Sequence, residues 1–164
     1  MKRDFLYAII SLLMANVMMT SCNKEEALEE LIEEPVAAST WIEPIHDRDA
    51  SVDMVKSFMA TNRSDLSLTE LSSAYSLQLV YAKSGSQEGI LYSFQPTNGR
   101  LYSVVDTEPA IRKQNVTEQL LEHYTLITDA GGLLQFTNES RTLVVSITDV
   151  SSAYFNVSYD FVSK

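Results

Sequence analysis

Two histidines, a single thiol and scattered carboxylates bound the chemistry open to this 164-residue chain. His46 lies in Ile45-His46-Asp47-Arg48-Asp49, where Asp47 or Asp49 is near enough in sequence to orient the imidazole as a general base or to share a cation with it. No GxSxG and no second thiol supplies a nucleophile, so a surface-loop histidine is the expected reading. His123 follows Glu122, with Glu118 one turn earlier; on a helix that spacing puts both carboxylates on one face, able to share a proton or a cation. With no HExxH and no second set of ligands, they read as the solvated side of a helix. Asp47, Asp49 and Asp53 have the odd spacing of a calcium loop but lack its glycine and closing glutamate. Gly131-Gly132 is a lone glycine pair and no phosphate cradle, and the sequons at Asn62, Asn115, Asn138 and Asn156 are assigned no role. The expectation is therefore no catalytic residue, no cofactor and no metal, and a chain that is not an enzyme.

The thiol has a different setting. Lys2 and Arg3 precede an apolar run over residues 5–19, broken by Ser11 and Asn16. A run of about 15 residues fits a secretory leader and falls short of the ~20 that a spanning helix needs. Met19-Thr20-Ser21-Cys22 follows directly, with small residues ahead of the cysteine. This resembles the lipobox of bacterial lipoproteins. The resemblance implies cleavage after Ser21 and acylation of Cys22, palmitate being one such chain. Charged residues just beyond Cys22 argue against the alternative of a buried free thiol. More than one acyl chain gives stable membrane attachment, at about 0.8 kcal/mol for each buried methylene.

Residues 23–34 are dominated by glutamate, which reads as a solvated, self-repelling spacer ending at Pro35. Lys24-Glu25-Glu26, immediately after the cysteine, also resembles the acidic export signal of Bacteroidetes-type surface lipoproteins. That resemblance implies an outer-membrane protein facing the cell surface, a periplasmic face remaining the alternative. The segments expected are a signal peptide over 1–21, an acidic tether over 22–40 and one domain over 41–164.

Composition limits what that domain does. Hydrophobic residues make up 45% and charged residues 21% of the chain, enough to bury a core. Twelve Lys+Arg against 22 Asp+Glu give a net charge of −10, and the basic residues are scattered, which excludes a nucleic-acid partner. Losing Lys2, Arg3 and Asp4 with the leader makes the charge one unit more negative. The partners expected are the membrane, through the N-terminal lipid, and a protein or glycan ligand.

Two helices and six strands are predicted to carry these residues. Ser51 caps a helix with Val52, Val55, Phe58 and Met59 on one face, Asp53 in its first turn and an end near Asn62. Alternation and turn residues then predict strands at 77–81, 90–94 and 101–105, with Asn98-Gly99 as the hairpin between the last two. Asn115 with Glu118 predicts a second cap, and a helix running through Leu120, Leu121, Tyr124 and Ile127 to a stop at Gly131-Gly132. Strands at 133–137, 142–148 and 153–162 complete the pattern, the last with Phe155, Val157, Tyr159 and Phe161 on its buried side. The fold class is α+β: antiparallel sheet packed by two helices, as a doubled helix-plus-three-strand unit with halves 41–112 and 113–164, or as independent elements. The tyrosines, among them Tyr75, Tyr81, Tyr92, Tyr102, Tyr154 and Tyr159, are half-buried strand packing or an exposed contact face.

Within the domain, Val55 to Met59, then Tyr92-Ser93-Phe94, Asn98 to Asp106 and Leu121-Glu122-His123-Tyr124 follow one another. The stretch resembles the prodomain of streptopain-type cysteine proteases and the inhibitors built on it. The shared order is an aromatic strand, a glycine turn, an apolar strand ending in an acid, and a helix with Glu-x-Tyr. The three C-terminal strands have no counterpart there. The resemblance implies a second role for the domain, as a protease inhibitor.

Overall fold

The computed structural model describes residues 40–162. The leader, Ser21, Cys22, Lys24, Glu25 and Glu26 lie outside them. Helix α1 spans Val52–Asn62, capped as expected: Ser51 Oγ accepts from the Met54 amide at 3.2 Å, and Val55 and Met59 turn inward. Four strands follow, β1 (Ser67–Ser72), β2 (Leu77–Ala82), β3 (Gly89–Phe94) and β4 (Leu101–Pro109). A 3-10 turn (Ala110–Arg112) leads into helix α2 (Lys113–His123), then β5 (Thr125–Ala130), β6 (Leu133–Thr137), β7 (Leu143–Asp149) and β8 (Tyr154–Phe161). Among the described residues no helix is long and apolar enough to cross a membrane.

All the strands belong to one eight-stranded sheet, ordered β1-β2-β3-β4-β8-β7-β6-β5, every neighbouring pair antiparallel. The register aligns Leu79, Tyr92, Val104, Tyr159, Val145 and Phe136 as one row across β2 to β6, each fully buried. Alternation places such residues on one sheet face, which α1 and α2 cover with Val55, Met59, Val116 and Leu120. The Tyr92 hydroxyl donates to Met59 Sδ at 3.4 Å, fixing α1 over β3. The opposite face carries mostly small polar side chains, such as Ser103, Thr107, Asn156 and Ser158, and neither helix covers it.

Mixed α+β architecture with two helices on an antiparallel sheet is thus as expected, but each helix is followed by four strands rather than three. The additional strands, β1 and β5, are the sheet's two edges. Neither buries a residue fully, so neither has the period-2 apolar signal of a half-buried strand. The second helix stops at His123, not beyond Ile127, because Tyr124 is already extended (φ −132°, ψ 158°). Leu126 and Ile127 belong to β5, and Gly131-Gly132 is the two-residue β5–β6 turn. Both glycines have positive φ (62° and 83°), the backbone of a type I′ hairpin, where only residues without a Cβ fit comfortably. Nor is Asn115 the cap: α2 begins two residues earlier, and Asn115 Oδ1 accepts from Gln119 Nε2 at 2.9 Å. The Asn98-Gly99 turn does join β3 to β4, with Gly99 at φ 65° and its amide donating to Gln95 O at 2.8 Å.

In the next buried row, where apolar side chains are the rule, stands Asp106, flanked by Ile90 on β3 and Val157 on β8 and wholly inaccessible. Trp41 Nε1 donates to its Oδ2 at 2.8 Å, whereas Oδ1 has no donor facing it. Burial, and then the Glu108 carboxylate two residues along the strand, push the Asp106 carboxyl well above its ordinary 3.8. A neutral Asp106 also resolves the Oδ1 deficit, since the protonated acid can donate to Glu108. Because the folded-state value is raised, the associated stability is complete below the ordinary carboxylate range and is lost as pH rises through the folded value. Asp106→Asn keeps an acceptor for Trp41 and a donor for Glu108 without an ionisable group. Its melting temperature should exceed that of the native chain at neutral and alkaline pH, and the difference should shrink towards pH 4; thermal unfolding across that range measures it.

Candidate functional site

Two groups of polar side chains stand out. The first is buried where the C-terminal end of α1, the start of β3, the end of β4 and the 3-10 turn meet. Arg63, which caps α1, reaches Glu108 Oε1 at 3.2 Å and Glu88 Oε1 at 3.0 Å. Arg112 donates to the same Glu88 oxygen at 2.8 Å and to Glu108 Oε2, and Lys83 Nζ reaches Glu88 Oε2 at 3.0 Å. Burial alone would raise Glu88, but hydrogen bonds from Arg112 and Lys83 outweigh it and hold the carboxyl below its ordinary 4.5. Its contribution therefore has the opposite sign to that of Asp106: present above the ordinary carboxylate range and lost as pH falls through the lowered value. Every charge here has a protein partner and Glu108 is inaccessible. The cluster ties four elements together and leaves no surface for a ligand.

The second group opens to solvent. Residues 40–50 have no regular structure and cross the helix-bearing face as a strap. Trp41 anchors it on Asp106, and Ala50 packs into the core. Between them, Glu43 Oε1 accepts from the hydroxyl of Tyr124, just past α2, at 2.7 Å and from that of Tyr159 on β8 at 3.2 Å. His46 stacks on Tyr159, with ring centroids 4.7 Å apart and planes 15° from parallel. Its Nδ1 is 2.8 Å from the Pro44 carbonyl oxygen, which only an N–H satisfies, and its Nε2 lies 2.9 Å from the Tyr124 hydroxyl. Burial first, and Glu43 second, push both phenols above their usual range, so they remain hydrogen-bond donors and are not nucleophiles at neutral pH.

Beside this brace lies a pocket of about 590 Å³, lined by His46, Asp47, Arg48 and Tyr124 on one side and by Asn138, Thr142, Leu143, Phe161 and Val162 on the other. The turn between β6 and β7 shapes the far wall. Asn138 Oδ1 accepts from the amides of Thr142 and Leu143 at 2.9 and 3.1 Å, while Arg141 takes a left-handed conformation (φ 53°) to close the turn. Leu143 and Phe161 sit opposite each other in the β7–β8 register and supply the apolar floor.

The structure redistributes the roles proposed for these side chains. His46 is no free surface-loop residue; it is wedged against Tyr159, and its partners are Tyr124 and Pro44 rather than Asp47 or Asp49. Asp47 Oδ1 accepts from the Asp49 amide in a tight turn, and Asp49 faces Arg100 at 3.5 Å. Asp53 is exposed in the first turn of α1, as are Glu118, Glu122 and His123 on α2, with Glu118 accepting from Gln114. Among the described residues no three His, Cys, Asp or Glu side chains converge as metal ligands would. Tyr81, Tyr92 and Tyr159 point into the core, leaving Tyr75 and Tyr102 exposed, so the tyrosines form no continuous contact face. Glu43 and Tyr124 emerge as site residues through partners 81 positions apart. In the sequence Tyr124 is marked as an apolar position of the expected second helix and by the Glu-x-Tyr resemblance, and Glu43 carries no signal.

Removing one cation from the buried cluster would leave a carboxylate uncompensated. Arg63→Met should therefore cost about 3–5 kcal/mol of stability, read by chemical denaturation, whereas Lys56→Met, which removes an exposed pair with Glu70, should leave the denaturation midpoint almost unmoved. No family model matches the chain, and neither a curated protein nor a solved structure does, which leaves the residues and their geometry as the ground for function.

Proposed function

We infer that this chain is a lipid-anchored outer-membrane lipoprotein, facing the cell surface, whose folded unit binds a ligand without transforming it. The attachment rests on the leader-like run, the small residues before Cys22 and the Lys24-Glu25-Glu26 stretch after it. The binding role rests on one observation, the pocket beside the strap. Its volume of about 590 Å³ is in the range of small-ligand sites, and it combines an apolar floor with a few polar groups. The hydrogen bonds that hold Tyr124, His46 and Asn138 support a rigid wall rather than a reacting group. The element order, a helix and four antiparallel strands on each side of the β4–β8 pairing, supports a doubled unit, each half one strand longer than its sequence pattern suggests.

A second reading is inhibition of streptopain-type cysteine proteases. The β3–β4 hairpin and α2 supply, in order, the elements in which the chain resembles that prodomain. The full chain should then block such a protease at micromolar concentration or below, and a panel of them left fully active would remove this reading.

Attachment is tested by acyl labelling and by protease shaving of intact cells. The native chain should incorporate labelled palmitate and be shaved. Cys22→Ala should lose the label, and neutralising Lys24, Glu25 and Glu26 should leave it labelled but protected. A native chain without label refutes the anchor, and a labelled chain that resists shaving refutes surface exposure alone.

A further inference from the structure

Resting on the reading of the folded unit as a binding domain, we propose that the pocket takes a free α-amino acid with a large apolar side chain, its carboxylate on Arg48 and its ammonium on Asp47. The hydrogen bonds of the lining residues lead there. Tyr124 and both His46 nitrogens are engaged within the brace. Asn138 accepts from two amides and donates to Ser140 and Thr142, and the Thr142 hydroxyl also meets that of Ser140. Among the described residues, two lining groups keep charge in reserve. Arg48 has no carboxylate within ion-pair reach among the described residues. Asp47 spends one carboxylate oxygen on the Asp49 amide, and the other meets no donor among the described residues.

Arg48 and Asp47 are adjacent in sequence, of opposite sign and on the same pocket wall, yet they form no ion pair with each other. A ligand complementary to both carries a cation and an anion on one small body, as an amino acid zwitterion does. An isolated carboxylate or amine would satisfy only one of them. Guanidinium suits the carboxylate because its fork of donors matches the two oxygens. Leu143, Phe161 and Val162 then face what is left of the ligand, so they select an apolar side chain over a polar one. Loss of either ligand charge strands one protein charge against an apolar body, and that difference is the readout.

The experiment is an amide NMR titration of the full chain in detergent with four probes: L-phenylalanine, hydrocinnamate, phenethylamine and N-acetylphenylalaninamide. Phenylalanine should bind about tenfold more tightly than either singly charged probe, each of which lacks one charge-assisted contact. Arg48→Gln should weaken phenylalanine and hydrocinnamate while sparing phenethylamine, and Asp47→Asn should weaken phenylalanine and phenethylamine while sparing hydrocinnamate. Both positions are exposed, and Asn at 47 keeps an oxygen for the Asp49 amide, so the spectrum of the free protein should change only at the neighbouring residues. If the neutral probe binds as tightly as phenylalanine, the pocket remains a binding site and the zwitterion assignment is wrong. If none of the four shifts residues 46–48 or 138–143 at millimolar concentration, both the assignment and the pocket's place in the binding reading fall.

Discussion

A carboxylic acid stands at the centre of the sheet, and much of the molecule is arranged around keeping it there. Asp106 occupies a row that is otherwise Tyr81, Ile90, Val157 and Ile147, with no access to water. An ionised, unpaired carboxylate in such surroundings would cost more than a small domain can spare. Two devices remove that cost. The Trp41 indole brings a donor from a segment 65 residues away, and burial beside the Glu108 carboxylate raises the proton affinity of Asp106 so that the acid stays neutral. Glu108 lies two residues along the strand, equally deep in the structure, and Arg63 and Arg112 close over it. One strand thus carries two buried acids two residues apart, one facing an indole and the other two guanidinium groups.

From that pair the order of the outer parts follows. Trp41 holds the strap at one end, so Glu43 and His46 are presented to Tyr124 and Tyr159 at fixed positions instead of sampling solvent. Arg63 fixes the end of α1, and Arg112 fixes the approach to α2. The wall of the pocket is therefore a by-product of core electrostatics: helices and strap are set by buried charge, and the cavity is what lies between their ends and the β6–β7 turn.

How much of this could be read from the chain divides along physical lines. Ser51 with the Val55 and Met59 spacing, and the alternation of Phe155, Val157 and Tyr159, were legible because each records burial on one face of a local element. Strands β1 and β5 were not, since an edge strand buries little and its residues owe their conformation to a neighbour. The α2 boundary failed for a related reason: Leu120, Leu121, Tyr124 and Ile127 keep helical spacing across a point where the backbone has already turned extended. The candidate site was half visible. His46 drew notice as one of two histidines, but Glu43, Tyr124 and Tyr159 become its surroundings only when the strap folds back over β8. Asp106 gave no signal beyond closing an apolar strand.

Among the described residues no strand pairs with the outer side of β1 or β5, and both edges carry features that bear on association. An unpaired strand offers its amides and carbonyls to any extended chain that drifts alongside, the first step towards fibrous assembly. On β1, Glu70 keeps a charge on the edge beside Lys56. On β5 the pairing with β6 is interrupted between Leu126 and Thr128, and such an irregularity twists the outer hydrogen-bonding groups out of the flat array that an incoming strand requires. The irregular strand thereby guards the sheet against recruiting its own kind.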